Sequence, residues 1–120
     1  YSLRQLVDLM NSFVSIEKVY TSGGGSVSPL WRQMQADIFD LPVYTMSASG
    51  EGGAYGAILV AGVGAGVWGS LEEAASMIKV ETETLPIREN QKAYQDAYSL
   101  YCELYGALKP VYDKGAALAL

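Results

Sequence analysis

The strongest constraint on the fold is a run of three glycines between a β-branched segment and a segment with helical periodicity. The run consists of Gly23, Gly24 and Gly25. Residues 16–21 have the β-branched and aromatic composition of a strand. Ser28 and Pro29 together predict a helix start, because serine caps the first turn and proline is tolerated at the first helical position. A second strand is predicted over residues 41–45. The order strand, glycine turn, helix, strand is typical of a parallel crossover and predicts an α/β fold.

Apolar periodicity and capping signals predict the rest of the chain. The predicted segments are a helix over residues 1–14, a loop over 46–50, a helix over 51–67, a helix from Leu71 to Met77, an irregular segment over 79–87 and a helix over 91–109. The helix over 51–67 is apolar and rich in small residues, so it is expected in the interior. Pro110 is expected to end or kink the last helix, with a short Ala-rich tail after it.

Composition excludes several classes of function. Eight basic residues against 13 acidic ones give a net charge of −5, which argues against a nucleic-acid partner or an anionic membrane surface. The chain has no histidine, so histidine-based acid–base catalysis and Cys/His zinc sites are not available, and no metal site is predicted. The apolar run over residues 54–68 is shorter than a membrane span. A single cysteine, Cys102, fits a reducing, cytoplasmic location.

The glycine turn has two interpretations from its local pattern. A strand followed by a glycine turn and a helix start can bind an anion or nucleotide, because a ligand can lie directly on peptide planes that carry no Cβ. The same residues can form a tight turn without a ligand. Ser28 is open in the same way, as a helix cap or as a ligand contact. A second pattern, G-x-G-x-x-G over residues 64–69, closes a helix rather than following a strand, so a dinucleotide site is not predicted there.

Three other groups have structural interpretations. The tyrosine stripe on the last helix, without interleaved basic residues, predicts helix packing rather than a stacking platform for bases. The stripe consists of Tyr94, Tyr98, Tyr101 and Tyr105. The carboxylate pairs at 37/40 and 72/73 are assigned to capping and solvent exposure, with Ser70 and Glu73 forming a capping box. Cys102 has no cationic neighbour in sequence and is expected to be inert.

The order of these parts resembles the C-terminal region of the FGGY family of carbohydrate kinases. The resemblance rests on Ser22–Gly25, on SPLWRQM over 28–34, on ADIF over 36–39 and on LPV over 41–43, and it continues through the glycine- and alanine-rich helix and the capping box. It covers nearly the whole chain.

The resemblance implies an ATP-dependent sugar kinase with two actin-like, ribonuclease-H-like domains. Residues 1–120 would be the C-terminal fragment of the second, nucleotide-binding domain, with short parallel strands and several packed helices. Gly23, Gly24 and Gly25 would pack against the nucleotide, and Ser28 matches a position that lies against the adenine. The implied cofactors are ATP and Mg²⁺, the implied sugar is a ketopentose, and a dimer is possible.

The same resemblance places the catalytic aspartate and most sugar-binding residues upstream of Tyr1. The first helix is already under way at Tyr1 with no capping residue before it, which also indicates a piece of a longer protein. The chain alone is therefore expected to be inactive. The alternative is a non-catalytic actin-like interaction module whose glycine turn is purely structural.

Overall fold

A computed structural model describes residues 1–47 and 49–118, with the backbone alone described at Ser49. In these ranges the chain forms five α-helices, three β-strands and two short 3-10 turns. The helices are α1 Ser2–Asn11, α2 Pro29–Phe39, α3 Gly52–Gly64, α4 Leu71–Ala75 and α5 Arg88–Leu118; the strands are β1 Val19–Thr21, β2 Val43–Met46 and β3 Val80–Thr84; the turns are Gly24–Val27 and Ser49–Glu51. The loop predicted over 46–50 includes Ala48, and the predicted tail includes residues 119 and 120; these three residues lie outside the described ranges.

The three strands form one small mixed sheet in the order β1-β2-β3. β1 and β2 are parallel, with Val19 opposite Val43, and α2 connects them. The predicted order of strand, glycine turn, helix and parallel strand is therefore confirmed. β3 runs antiparallel to β2, with Thr84 opposite Val43.

β3 corrects the prediction of an irregular segment over residues 79–87. All of its residues except Val80 are polar and most are exposed, so the apolar alternation of a half-buried strand is absent. The strand forms because β2 supplies hydrogen-bonding partners along its free edge. The Thr45 and Thr82 hydroxyls lie 2.6 Å apart across the pair, and such cross-strand pairs are the unit of sheet stabilisation. Pairing therefore overrides the weak local signal.

The hydrophobic core lies between α2 and the sheet. Ala36, Phe39 and Val43 are buried, and Val7, Val19, Ile38 and Leu41 pack around them. α2 is the central helix, because it contacts α1, α5, β2 and β3. The residues that follow the glycine turn are therefore fixed to the best-packed part of the molecule.

α3 is much more exposed than the sequence predicts. Only Leu59 is buried on it, while Ile58 is 60% and Val60 61% exposed. The prediction of an interior helix is therefore wrong for this chain, because no described element covers its other faces. Close approach is confirmed at Gly62, where a Cβ would lie 2.2 Å from the Trp68 ring. No helix in the described part of the chain is long and apolar enough to cross a membrane.

α5 continues through Pro110 to Leu118, so of the two effects predicted for this proline the end of the helix is wrong, while the kink stays a prediction. A proline removes the amide that would bond to the carbonyl four residues earlier, here that of Gly106. Gly106 is exposed, so water is able to replace the lost partner. No residue of α5 is buried, so no packing contact forces the chain to leave the helix after Pro110.

Candidate functional site

The glycine turn lies between the end of β1 and the start of α2, as the sequence predicts. Gly23 has φ 88° and ψ 178°, a backbone conformation that is essentially restricted to glycine. The chain then makes the 3-10 turn Gly24–Val27 and enters α2 at Pro29. The first glycine is therefore required by the backbone itself, whether or not a ligand binds.

Ser26 fixes the shape of the turn from inside. It is 1% exposed, and it donates twice to the carbonyl oxygen of Gly23, from its backbone amide at 2.9 Å and from its hydroxyl at 2.7 Å. Arg32, one turn into α2, donates from Nη1 to the Ser26 carbonyl oxygen at 2.6 Å. The turn is thereby attached to α2 by a charge-assisted hydrogen bond.

The third glycine lies against the indole of Trp31. A Cβ at Gly25 would lie 3.1 Å from Trp31 Nε1 and 3.2 Å from Cδ1, closer than ordinary van der Waals contact. Gly25 therefore permits an aromatic ring to back the turn. The ring is itself 48% exposed, so part of it stays available to another molecule.

Ser28 caps α2, and this part of its predicted role is confirmed. Its Oγ accepts a hydrogen bond from the Trp31 amide at 3.3 Å, and Pro29 occupies the first helical position. Pro29 has no N–H, so the Leu30 amide alone lacks an acceptor among the first three helical residues in the described part of the chain. The start of α2 thus offers an anion few donors.

The open part of the turn is its first two glycines. At Gly23 and Gly24 an added Cβ would meet nothing within 4 Å. The start of α3 lies beside the turn, since a Cβ at Gly52 would lie 3.0 Å from the Ser22 Cβ. A flat, side-chain-free backbone surface of this kind suits close approach of a ligand. The structure thus divides the predicted site: Gly23 and Gly24 are open, Gly25 is backed by Trp31, and Ser28 caps α2.

Ser26 and Arg32 were not predicted from the sequence as parts of this site. A serine within a glycine-rich turn has no distinctive pattern, and a single arginine on a helix is usually solvated. The spacing of six residues places Arg32 within reach of the Ser26 carbonyl only once the 3-10 turn has formed. A helix start preceded by a buried small polar residue is the one signal that could have indicated the pair.

The other candidate groups take structural roles. The G-x-G-x-x-G pattern closes α3 with Gly66 at φ 74°, consistent with a turn rather than a dinucleotide site. Ser70 accepts from the Glu73 amide at 3.1 Å, which confirms the cap of α4. In residues 1–47 and 49–118 no three His, Cys, Asp or Glu side chains are placed to hold a metal ion.

Asp37 and the tyrosine stripe give mixed outcomes. Asp37 is 3% exposed, so the assignment of the 37/40 pair to solvent exposure is wrong for this residue. Tyr98 and Tyr101 pack with Tyr1 at centroid distances of 5.7 and 5.5 Å, which confirms helix packing for that part of the stripe. Tyr105 is 68% exposed.

Comparison with known proteins identifies the class. Residues 1–65 match the C-terminal domain of the FGGY family of carbohydrate kinases, so the chain belongs to this family. It is 32% identical over 107 residues to the xylulose kinase of Staphylococcus xylosus, covering 88% of this chain and 22% of that protein. It is also 34% identical over 110 residues to the autoinducer-2 kinase of Salmonella typhimurium, covering 91% of this chain and 21% of that protein. The chain thus spans about a fifth of the length of these relatives.

Solved structures agree on the α/β fold. A ligand-bound xylulose kinase from Lactobacillus acidophilus matches with a TM-score of 0.68 and 26% identity, over 92% of this chain and 23% of that protein. A gluconate kinase from the same organism matches with a TM-score of 0.62 and 27% identity, over 81% of this chain and 20% of that protein. The family and fold are therefore established, and the relatives differ in the substrate that their names give.

Proposed function

We propose that this chain is the C-terminal part of the nucleotide-binding domain of an ATP-dependent sugar kinase and forms one wall of its ATP site. The proposal is carried by the open backbone surface at Gly23 and Gly24, held by β1 on one side and α2 on the other. Membership of a kinase family supports a nucleotide as the ligand of this surface.

The chemistry of the turn suits a nucleotide in two ways. Peptide planes without Cβ atoms allow a ribose or phosphate to approach the backbone closely. Trp31, which contacts Gly25 and is about half exposed, is an aromatic residue of the kind on which an adenine ring can pack. In this proposal Ser28 lies next to the base while it caps α2.

The remaining parts of the reaction belong to residues outside this chain. Transfer of the γ-phosphoryl group of ATP needs the sugar hydroxyl, Mg²⁺ and the phosphates held together. The described residues hold no cluster of three His, Cys, Asp or Glu side chains that could bind a metal ion, so Mg²⁺ would be held by the phosphates and by other parts of the protein. We place this enzyme in the cytoplasm, which its single exposed free cysteine suits.

We propose xylulose as the sugar, phosphorylated to xylulose 5-phosphate. Two of the relatives described above are named xylulose kinases, one by sequence and one by structure. The autoinducer-2 kinase and gluconate kinase relatives define the competing substrates. The expected result is a kcat/KM for xylulose that exceeds those for gluconate and autoinducer-2 when the full-length protein is assayed with MgATP. A higher value for either competitor would replace xylulose as the substrate and leave the ATP site unaffected.

Gly24→Val in the full-length protein tests the nucleotide site most cleanly. A Cβ added at Gly24 meets nothing within 4 Å in the described structure. A residue larger than glycine requires an unfavourable positive φ at Gly23, and at Gly25 its Cβ would lie only 3.1 Å from Trp31 Nε1. The dissociation constant for MgATP, measured by calorimetry, is expected to rise about tenfold or more because the side chain occupies the ligand's position. Gly115→Val on exposed α5, where an added Cβ also meets nothing, is the matched control and should bind normally.

The same measurement separates the alternative of a non-catalytic interaction module. The exposed apolar face of α3, with Ile58 and Val60, is the observation that favours it. A module of this kind would bind no ATP, and Gly24→Val would change neither its fold nor its partner binding. Unchanged ATP affinity in a folded Gly24→Val protein would reject the proposed wall.

A further inference from the structure

We propose that Arg32 is a positioning residue for the nucleotide, acting through Ser26 to hold the peptide between Gly23 and Gly24 in a single orientation. This inference rests on the proposed function and deepens it. Arg32 contacts the turn from the α2 side, through its hydrogen bond to the Ser26 carbonyl oxygen.

The orientation follows from the hydrogen bonds of the Gly23 carbonyl. Its oxygen accepts both the amide and the hydroxyl of Ser26, at 2.9 and 2.7 Å. The described peptide bonds are all trans, and in a trans peptide the C=O and N–H point in opposite directions. The Gly24 N–H, which belongs to the same peptide, therefore points away from Ser26, and Gly24 itself is exposed.

A peptide between two glycines is unusually free to rotate, because neither residue has a Cβ to resist a change of φ or ψ. Rotation of this peptide by half a turn would present the Gly23 carbonyl oxygen, instead of the Gly24 amide, to the ligand. A carbonyl oxygen repels the phosphate oxygens of a nucleotide, whereas an amide donates to them. The turn binds well only if this flip is prevented.

Arg32 supplies the restraint from a rigid element. Its guanidinium donates to the Ser26 carbonyl at 2.6 Å, and Ser26 is 1% exposed, so water competes poorly for the bond. α2 is anchored in the core through Ala36 and Phe39. The arginine thus connects the best-packed helix to the serine that fixes the glycine carbonyl.

The experiment compares three variants with the wild-type full-length protein. Arg32→Met removes the guanidinium and Ser26→Ala removes the hydroxyl donor, while Arg88→Met makes the same charge change at an exposed position at the start of α5. The dissociation constant for MgATP is measured by calorimetry, and KM is measured separately for MgATP and for xylulose. If the flipped turn becomes dominant, the dissociation constant rises as the inverse of the remaining binding-competent fraction. We expect a rise of about tenfold for Arg32→Met and of about threefold for Ser26→Ala.

The readouts separate positioning from mere stability. A destabilised but correctly shaped turn would lower the active fraction, reducing apparent kcat and leaving both KM values unchanged. Positioning raises KM for MgATP alone, with partial rescue in Arg32→Lys, which keeps a donor. If Arg32→Met does not fold, Ser26→Ala carries the test.

Three failing outcomes have different meanings. Wild-type affinity in Arg32→Met and Ser26→Ala, together with lost affinity in Gly24→Val, overturns the role of Arg32 and leaves the proposed nucleotide site standing. Absence of MgATP binding by the wild-type protein overturns the proposed function itself. An equal loss in the Arg88→Met control would assign the effect to net charge and also overturn the role of Arg32.

Discussion

Asp37 is a single buried carboxylate that joins α2 to the start of α5. Its Oδ1 accepts from the Ile87 amide at 2.7 Å and from Gln33 Nε2 at 2.8 Å, and its Oδ2 accepts from Asn90 Nδ2 at 2.8 Å. The residue is 3% exposed. Three donors compensate the cost of burying its charge, which would otherwise be several kcal/mol. Asp37 therefore fixes the segment between β3 and the first turn of α5 against α2.

Replacement of Asp37 by alanine should destabilise the protein strongly. The change leaves the part-buried Ile87 amide and Asn90 side chain without their acceptor, and each unsatisfied donor that water does not reach costs about 1–3 kcal/mol. We expect a loss of about 3 kcal/mol in the free energy of unfolding, measured as a shift of the urea midpoint of the full-length protein. Asp113→Ala, which removes an exposed carboxylate in α5, is the control and should change stability by less than about 0.5 kcal/mol. Equal effects of the two changes would contradict the role given to Asp37.

The distance along the chain explains which side-chain roles were predictable. Ser28 and Ser70 each cap an amide three residues later, so a local motif suffices to find them. Asp37 meets partners 50 and 53 residues away, and nothing in its own neighbourhood distinguishes it from a solvated carboxylate. The glycine turn was found from its local order, whereas the hydrogen bonds that fix it depend on a 3-10 turn that glycine- and serine-rich sequence does not specify.

At the scale of elements, α1 is attached to α5 and α2 mainly through polar side chains. Arg4 donates from Nε to Asp8 at 2.6 Å and also donates to the Ile38 carbonyl at the end of α2. Tyr98 on α5 donates from its hydroxyl to Asp8 Oδ2 at 2.8 Å. The Arg4 guanidinium lies 5.5 Å from the centre of the Tyr98 ring. We call Arg4, Asp8 and Tyr98 the polar node. No residue of α1 is buried, so the polar node contributes much of the orientation of the helix.

Because Tyr98 belongs to the polar node, we expect the free energy of unfolding to fall at high pH. Burial and the hydrogen bond to Asp8 raise the pKa of the Tyr98 phenol above its ordinary value of 10.0. A raised folded-state pKa contributes stability that is fully present below the unfolded-state pKa and is lost as the pH rises above it. The stability of the wild-type protein should therefore fall above about pH 10.

Tyr98→Phe provides the test of that pH dependence. At neutral pH the variant should lose about 1 kcal/mol with the hydrogen bond to Asp8, and its stability should fall less steeply than that of the wild type between about pH 10 and 11. Tyr105→Phe changes an exposed tyrosine and should keep the wild-type slope. Thermal unfolding by circular dichroism measures both. Parallel pH profiles of stability for Tyr98→Phe and the wild type would contradict the assignment of this pH dependence to Tyr98.

Helices and strands were predictable where their own sequence determines them. They were missed where a neighbouring element, or the lack of one, determines them. α1, α2, α4 and the parallel pair β1–β2 follow from apolar spacing, caps and turn residues. β3 depends on the free edge of β2, and the continuation of α5 past Pro110 depends on the absence of packing around it. The exposure of α3 depends on what surrounds it, which composition alone does not reveal.

At the scale of the whole molecule, the chain is too open to be a self-sufficient domain. Its radius of gyration is 19.1 Å, against about 14 Å for a compact domain of this length. Its accessible surface is 8384 Å², against about 6300 Å² for a compact protein of this mass. Two helices are little covered: apolar α3 has one buried residue, and α5 has none over 31 residues. These surfaces are suited to packing against other parts of a longer protein.

The 120-residue chain by itself should therefore show neither kinase activity nor a sharp unfolding transition. The proposed wall of a nucleotide site would hold neither the sugar nor the metal, so phosphoryl transfer would lack its positioned partners. The described core contains five buried apolar residues, which is little to offset the conformational entropy of the whole chain. We expect a broad urea transition and binding of a dye that reports exposed apolar surface, both reversed when the chain is part of the full-length protein. Saturable, Mg²⁺-dependent phosphorylation of xylulose by the isolated chain would contradict this, because it would require a complete active site within residues 1–120.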